Sequence, residues 1–356
     1  MKWLLLLMPL AVVLEHTVHD RPLLVFAVAA AGIVPLAAFM AQATGSLATR
    51  LGPALGGLLN ATFGNAAELI IALSALRAGL HDMVKASIAG TIIGNILLVL
   101  GIAMVLGGAR HGEQRYDARS ARTQATMLTL AVTALILPAA YRAIVPNAEP
   151  ALNSISAWIA IALLVVYIAN VAFTLAESRR STRNGAAEDD GGHLHHGPQW
   201  SVGRALLVLG AVTLGIVWLS EILVATVEPA SESLGLSDAF TGVFVLAVIG
   251  GAAEQATTIV AARQNRMDLA MSIALGSGVQ LALLVAPLLV LLSYFIGPHP
   301  MGLVFGPGLV LTVLLAVLIT GQVASDGRTD WLRGVQLMAL YLILGAVFFY
   351  VPDVSG

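Results

Sequence analysis

The sequence predicts an all-α membrane protein of about 11 transmembrane helices, one peripheral N-terminal helix followed by two inverted five-helix repeats. Three observations carry that prediction. Of 356 residues, 58% are hydrophobic and 11% charged, with a mean hydropathy of +0.89, the composition of a chain solvated by lipid. A short pattern recurs, Gly64-Asn65-Ala66-Ala67-Glu68 returning as Gly250-Gly251-Ala252-Ala253-Glu254, 186 positions later. The same offset aligns Ala75 with Ala261, Arg77 with Arg263, Asp82 with Asp268 and Gly90 with Gly276, so the repeat extends well beyond the motif. The third observation is the alternation of basic residues between successive loops, taken up below.

In chain order, Trp3 to Leu14 is an apolar run behind Lys2, short for a span. No small-x-small cleavage site follows at Leu14-Glu15-His16, so the run reads as a first helix and residues 1–21 as a peripheral segment. The first five-helix repeat occupies residues 22–176. Its spans are Pro22 to Thr44, Pro53 to Ala78 carrying Glu68, Met83 to Leu106, Thr123 to Tyr141, and Ala151 to Ala176. Residues 177–202 form a linker with an acidic and His-rich tract, Glu188-Asp189-Asp190-Gly191-Gly192-His193-Leu194-His195-His196. Such a tract is a solvated connector or a cation- and pH-responsive one. The second repeat, 203–356, holds Gly203 to Val227, Ala239 to Ala262, Leu269 to Ile296, Leu303 to Val323 and Trp331 to Val351.

Charge placement tests this count independently, because loops on the cytoplasmic side collect Lys and Arg. The side that holds the N-terminus receives Lys2, Arg50, Arg110, Arg115, Arg119, Arg122, Arg179, Arg180, Arg183, Arg204, Arg263, Arg266, Arg328 and Arg333. The other receives only Arg21, Arg77, Lys85 and Arg142. A missed or invented helix would scramble that split downstream. The expectation is therefore a multi-pass protein of an inner or plasma membrane, N-terminus cytoplasmic and C-terminus outside.

Glu68 and Glu254 lie five spans apart, an odd number, so their repeats cross the membrane in opposite directions. Inverted repeats characterise secondary transporters, whose substrate site sits near the midplane between the halves. Each Glu falls about three residues past its span centre, roughly 4–5 Å, so both stay near mid-bilayer. An ionised carboxylate at that depth is costly unless it meets a counter-charge or takes a proton. Two facing carboxylates sharpen the conflict, and either one divalent hard cation or two protons relieves it. That exclusivity is the simplest basis for exchange, and Glu68 and Glu254 are its candidate carriers. The alternative is a pair of protonated structural residues hydrogen-bonded within the bundle.

Further oxygen donors lie close in sequence. Asn95 sits in Gly90-Thr91-Ile92-Ile93-Gly94-Asn95 and Gln280 in Gly276-Ser277-Gly278-Val279-Gln280, each one span after a Glu and at similar depth. A Ca²⁺-sized ion takes six to eight oxygens, more than two carboxylates supply. Asn95, Gln280, Asn65, Ser277 and Thr91 are therefore candidate ligands. Their alternative role is hydrogen-bonded packing between helices, and the glycines allow close approach or exposed carbonyls. Asp82 and Asp268, at matching junctions, are expected as helix N-caps.

At these residues the chain resembles the Ca²⁺/H⁺ antiporter (cation/proton exchanger, CAX) family of the cation/Ca²⁺ exchanger superfamily. Leu58 to Ile70, with Asn95-Ile96-Leu97-Leu98-Val99-Leu100-Gly101, looks like its first signature. Gly250 to Glu254, Met267-Asp268-Leu269, Ala274 to Ser277 and Gln280 to Leu283 look like the second. The resemblance runs from about Ala43 to Leu292. It implies one peripheral helix plus two inverted five-helix halves, with the acids at Glu68 and Glu254 binding Ca²⁺ and exchanging it for protons by alternating access. Three positions depart from the pattern. Gly251 and Gln255 stand where the family's second signature has Asn and His, and Ala43-Thr44-Gly45 stands where Ala-Thr-Glu is common. The counterpart Ser220-Glu221 is retained, so Glu221 is a candidate access-pathway acid.

Other function classes lack their chemistry. With no cysteine there is no thiol, disulfide or Cys-bound zinc, and no basic arm points to nucleic acid. No paired-Asp metal motif, Ser/Lys dyad or phosphate-binding Gly-rich loop marks an enzyme, and two unlike halves in one chain do not form a channel's symmetric ring. The expected partners are Ca²⁺, H⁺ and the bilayer, with Ca²⁺ as transported substrate and no cofactor. The alternative on the same scaffold is Na⁺/Ca²⁺ or monovalent cation/H⁺ exchange.

Overall fold

A computed structural model describes residues 6–18, 20–183 and 200–350. Lys2, His19 and the acidic, His-rich tract 188–196 lie outside the described residues. The chain is mostly helical: α1 (Leu7–Thr17), α2 (Pro22–Phe63), α3 (Ala66–Arg77), α4 (His81–His111), α5 (Ala118–Ile144), α6 (Glu149–Arg183) and α7 (Val202–Leu234) form its first part. Then come α8 (Asp238–Gly250), α9 (Ala252–Arg263), α10 (Met267–Leu292), α11 (Pro307–Ala324) and α12 (Trp331–Phe349). Eight of the described helices are long and apolar enough to cross a membrane, nine if the bent pair α8–α9 counts as one.

Several helix boundaries differ from those the hydropathy suggests. The first helix is displaced to Leu7–Thr17, 11 residues long. The gap expected between Thr44 and Pro53 is helical, and α2 continues to Phe63. A Cβ on Gly56 would run into the Ala48 carbonyl, eight residues back. A straight helix separates such residues by about 12 Å, so α2 bends sharply between them, next to a proline that has no N–H to give. A further interruption falls at Gly64-Asn65, directly before the Glu68 motif. The second motif is interrupted in the same place: the span expected over Ala239 to Ala262 breaks at Gly251 and bends by 65°. Apolar periodicity registers neither break, because both flanks remain apolar.

The chain divides into two compact units, residues 1–74 with 165–230 and residues 75–164 with 231–356. Each takes helices from both sequence repeats. In the first unit α2 and α7 meet through glycine: a Cβ on Gly32 would reach Leu219, and one on Gly215 would reach Leu36. Phe39 stacks on Trp200, and the Arg204 guanidinium lies 5.0 Å from the Trp200 ring centroid.

The second unit is packed backbone to backbone. Gly90 of α4 lies against the Val243 backbone of α8, Gly242 faces Ala86, and Gly101 meets Gly334 of α12 across bare main chain. Lipid supplies no hydrophobic drive between helices, so small residues that admit close van der Waals contact perform the joining.

Two polar rims close this unit. At one, β1 (Gln114–Arg115) pairs antiparallel with β2 (Arg328–Thr329), an element too short for sequence patterning to register. Gln114 donates to the Ala262 carbonyl and to Asn265, His111 bonds the Arg263 carbonyl, and the Asp117 N–H donates to Asp268. Tyr116 donates to the Val323 carbonyl, and burial pushes its phenol up, so it remains a donor across the physiological range. At the opposite rim Lys85 donates to the Val304 carbonyl, the Leu303 N–H to Ser156, and Tyr294 to the Asn153 carbonyl. Helix α4 begins at this second rim and α10 at the first, so the two run in opposite directions.

The expected capping roles of Asp82 and Asp268 are not what the structure holds. The N-cap positions are Leu80 and Arg266, neither with a side-chain cap. Asp82 lies one turn from Lys85 and pairs with it, while Asp268 is drawn to the neighbouring Asp117 N–H.

The glycine contacts make a stability prediction. Gly90→Leu forces a side chain into the Val243 backbone and costs at least about 1–3 kcal/mol, whereas Gly203→Ala, with open space around it, is neutral or stabilising. Thermal melts in detergent check this, and equal melting temperatures for the two variants would contradict it.

Candidate functional site

Both acidic motifs place their Glu in the first turn of a helix that restarts after a break. Ala66-Ala67-Glu68 opens α3, with the Asn65 carbonyl accepting from the Leu69 N–H at 3.0 Å. Ala252-Ala253-Glu254 opens α9, with Gly251 as its N-cap. A broken helix turns its free N–H groups and the positive end of its dipole toward the interior, where they favour an anion. Asn65 is 3% and Glu68 8% exposed, so a carboxylate is held almost wholly out of solvent.

The break before Glu254 has a local cause. Gly251 adopts φ −79° and ψ 1°, and a Cβ there would stand 2.8 Å from Nε2 of Gln255. That amide reaches back across the gap toward the Ala247 carbonyl, 3.5 Å away. Gln255 thus occupies the room that glycine leaves and shields a carbonyl of the interrupted helix.

Around Glu254 the second unit assembles three of the expected residues. Ser277 of α10 hydrogen-bonds the Glu254 carboxylate, and Asn95 Nδ2 donates to Ser277 Oγ at 3.1 Å. Asn95 and Ser277 are 2% and 4% exposed. The outward ends of this chain are acceptors, since Glu254 Oε2 and Asn95 Oδ1 are both buried and neither has a hydrogen-bond donor. A buried acceptor without a donor costs about 1–3 kcal/mol, so two in one chain of contacts point to an electropositive guest. Asn95 lies in a π-helical segment, Gly94–Val99, and Gln280 immediately precedes another, Leu281–Val285. Such segments leave carbonyls out of the regular ladder and concentrate at functional sites. One of them, Ile96 O, accepts from Thr320 of α11 at 3.4 Å, a contact no sequence signal announces.

The other expected residues are placed as follows. Thr91 is buried one turn before Asn95, but its hydroxyl donates to its own helix at Ser87 O, 2.9 Å. Gln280 is part-buried on α10, three residues past Ser277. Glu221 is exposed on α7, beside a fully buried Ser220 whose hydroxyl lies 2.8 Å from that of Ser74. Asn65, Glu68 and Glu221 belong to the first compact unit, and Glu254, Ser277, Asn95, Thr91 and Gln280 to the second. Among the described residues no three His, Asp or Glu side chains cluster, and the partners that Glu254 meets within its own unit, Ser277 and through it Asn95, are neutral oxygen and amide groups. That is a donor set for a hard cation rather than for a soft transition metal.

Comparison with known proteins places the chain among exchangers. Residues 21–176 and 204–350 match the family described as sodium/calcium exchanger protein. A Ca²⁺/H⁺ antiporter of Aphanothece halophytica is 42% identical over 361 residues, covering 99% of this chain and 96% of that one. The Ca²⁺/H⁺ antiporter ChaA of Bacillus subtilis (strain 168) is 39% identical over 343 residues, 96% of each. Among solved structures, native YfkE superposes with a TM-score of 0.82 at 35% identity, covering 97% of both chains. An H⁺/Ca²⁺ exchanger CAX gives 0.72 at 14% identity over 98% of this chain and 91% of that one, a likeness of fold.

If the orphan oxygens hold a cation, a divalent ion at about 100 times its Kd stabilises the protein by about 2.7 kcal/mol. The corresponding rise in melting temperature is expected to vanish in Glu254→Gln and shrink in Asn95→Ala. Its survival at full size in Glu254→Gln would remove Glu254 from the site.

Proposed function

The chain belongs to the sodium/calcium exchanger protein family, and from that membership we propose that it exchanges Ca²⁺ for protons across an inner or plasma membrane. It is a transporter, not an enzyme. The full-length Ca²⁺/H⁺ antiporter relatives support the choice of ions. The observation that carries the mechanism is the buried chain Asn95–Ser277–Glu254, whose free ends are acceptor oxygens.

Glu68 and Glu254 are the exchanging carboxylates. With Ca²⁺ bound they are ionised and the metal neutralises them; with Ca²⁺ gone each takes a proton, because a bare carboxylate in this medium is too costly to persist. Asn95, Ser277 and backbone carbonyls complete the ion's shell, with Asn65, Thr91 and Gln280 as further donors. Glu221 serves the approach from the side opposite the N-terminus. In the alternating-access cycle α2 and α7 shift as a pair, a reading supported by their glycine-mediated contact within one compact unit. Residues 22–176 and 203–356 are the two inverted halves, residues 1–21 a peripheral helix and 177–202 their cytoplasmic linker. The N-terminus is cytoplasmic and the C-terminus outside, as the fourteen-to-four division of Lys and Arg between the two faces supports.

Everted vesicles with an acidified interior test this directly. Ca²⁺ uptake is expected to collapse in both Glu68→Gln and Glu254→Gln, and wild-type exchange in either variant would remove that residue from the site. Because a proton must leave before the metal binds, the half-saturating Ca²⁺ concentration rises as the Ca²⁺-loading face is acidified and falls as it is made alkaline. A half-saturation independent of pH would sink the competition.

A further inference from the structure

Gln124 carries another buried oxygen that the sequence motifs do not include. Its Oε1 is enclosed and has no hydrogen-bond donor, like Asn95 Oδ1 and Glu254 Oε2. It lies 3.8 Å from where a Cβ on Gly276 would stand, and Gly276 immediately precedes Ser277. No side chain on that residue separates the amide from α10.

The register between the two helices is fixed at their common start. The Asp117 N–H, at the N-cap of α5, donates to Asp268 in the first turn of α10. From that tie Gln124 is seven residues along α5 and Gly276 eight along α10, about 10 and 12 Å at 1.5 Å per residue. The Gln124 oxygen therefore sits at the level of Gly276, one residue nearer the arginine-bearing rim than Ser277.

We infer that Gln124 is a cation-binding residue on the path from the arginine-bearing rim, its amide oxygen receiving partly dehydrated Ca²⁺ one step before the Glu254–Ser277–Asn95 site. The assignment rests on the Ca²⁺/H⁺ reading above. A neutral amide oxygen suits the position. It replaces one water of a hard cation without adding a second buried charge that would hold the ion against release. Gly276 leaves the amide oxygen facing α10 directly, and only a side chain longer than a methyl group would come between them.

Everted vesicles present Ca²⁺ to the face at the arginine-bearing rim and read half-saturation separately from maximal rate. Gln124→Leu is expected to raise the half-saturating Ca²⁺ concentration about three- to tenfold, the effect of losing one oxygen ligand, with the maximal rate at saturating Ca²⁺ kept within about twofold. Gln124→Glu restores an oxygen and adds charge, so its half-saturation falls to or below wild type at alkaline pH and climbs more steeply on acidification. Unchanged half-saturation in Gln124→Leu overturns the inference, and so does a loss of maximal rate alone. Should the Leu variant fail to fold, Gln124→Glu decides, because a packing role gives it no pH-dependent gain in Ca²⁺ affinity. Wild-type vesicles without proton-driven Ca²⁺ uptake would defeat the functional reading itself; active wild type, inactive Glu254→Gln and unaltered Gln124→Leu would defeat only the role of Gln124.

Discussion

A buried carboxylate in the first turn of a helix that restarts after a break is the constraint on which the rest of this structure depends. Glu68 is 8% exposed and Oε2 of Glu254 is enclosed by the protein, and an ion so placed loses several kcal/mol of hydration even after relaxation. The helix break returns part of that cost, because the restarting helix aims its N-terminal dipole at the anion. That contribution is about 0.3–2 kcal/mol, and a hydrogen bond from Ser277 adds about 1.5–3 more. In the exchange proposed above, a proton or a metal ion supplies what these contacts do not.

The surroundings hold that balance by rigidity. Close contacts at Gly90, Gly101 and Gly242 bring helices together where the glycines have no side chain of their own, and two rims of hydrogen bonds fix the ends of the second unit. Within it, π-helical segments at Gly94–Val99, Thr241–Leu246 and Leu281–Val285 depart from the α ladder beside the polar residues. Irregular backbone at membrane depth is tolerated only where protein covers it or a polar cavity receives it. Asn95 and Gln280 stand at two such places, so the oxygen donors and the loosened carbonyls come from the same short stretches of chain.

Much of this was legible in the residues themselves. The repeated Glu motifs, the amides one span later and the sorting of arginines all follow from chemistry that a one-dimensional pattern records. Other features depend on neighbours distant in sequence. The sequence separates two spans between Thr44 and Pro53, where α2 bends, but not that the bend stays helical and brings Gly56 against the Ala48 carbonyl. Asp82 and Asp268 occupy matching positions and look like caps, yet Asp82 pairs with Lys85 one turn along its own helix and Asp268 accepts from the Asp117 N–H of another. Gln124 has no counterpart in the repeat, and its relevance emerges only where α5 lies beside the glycine that precedes Ser277.

The central claim is that one buried site cannot hold its metal and its protons together. It is tested most directly by proton release from the purified protein in detergent, measured potentiometrically in weakly buffered solution as Ca²⁺ is added. The account predicts that Ca²⁺ binding expels protons into solution and that Glu254→Gln reduces the number released per ion bound. Saturable Ca²⁺ binding that releases no protons at any pH would contradict it.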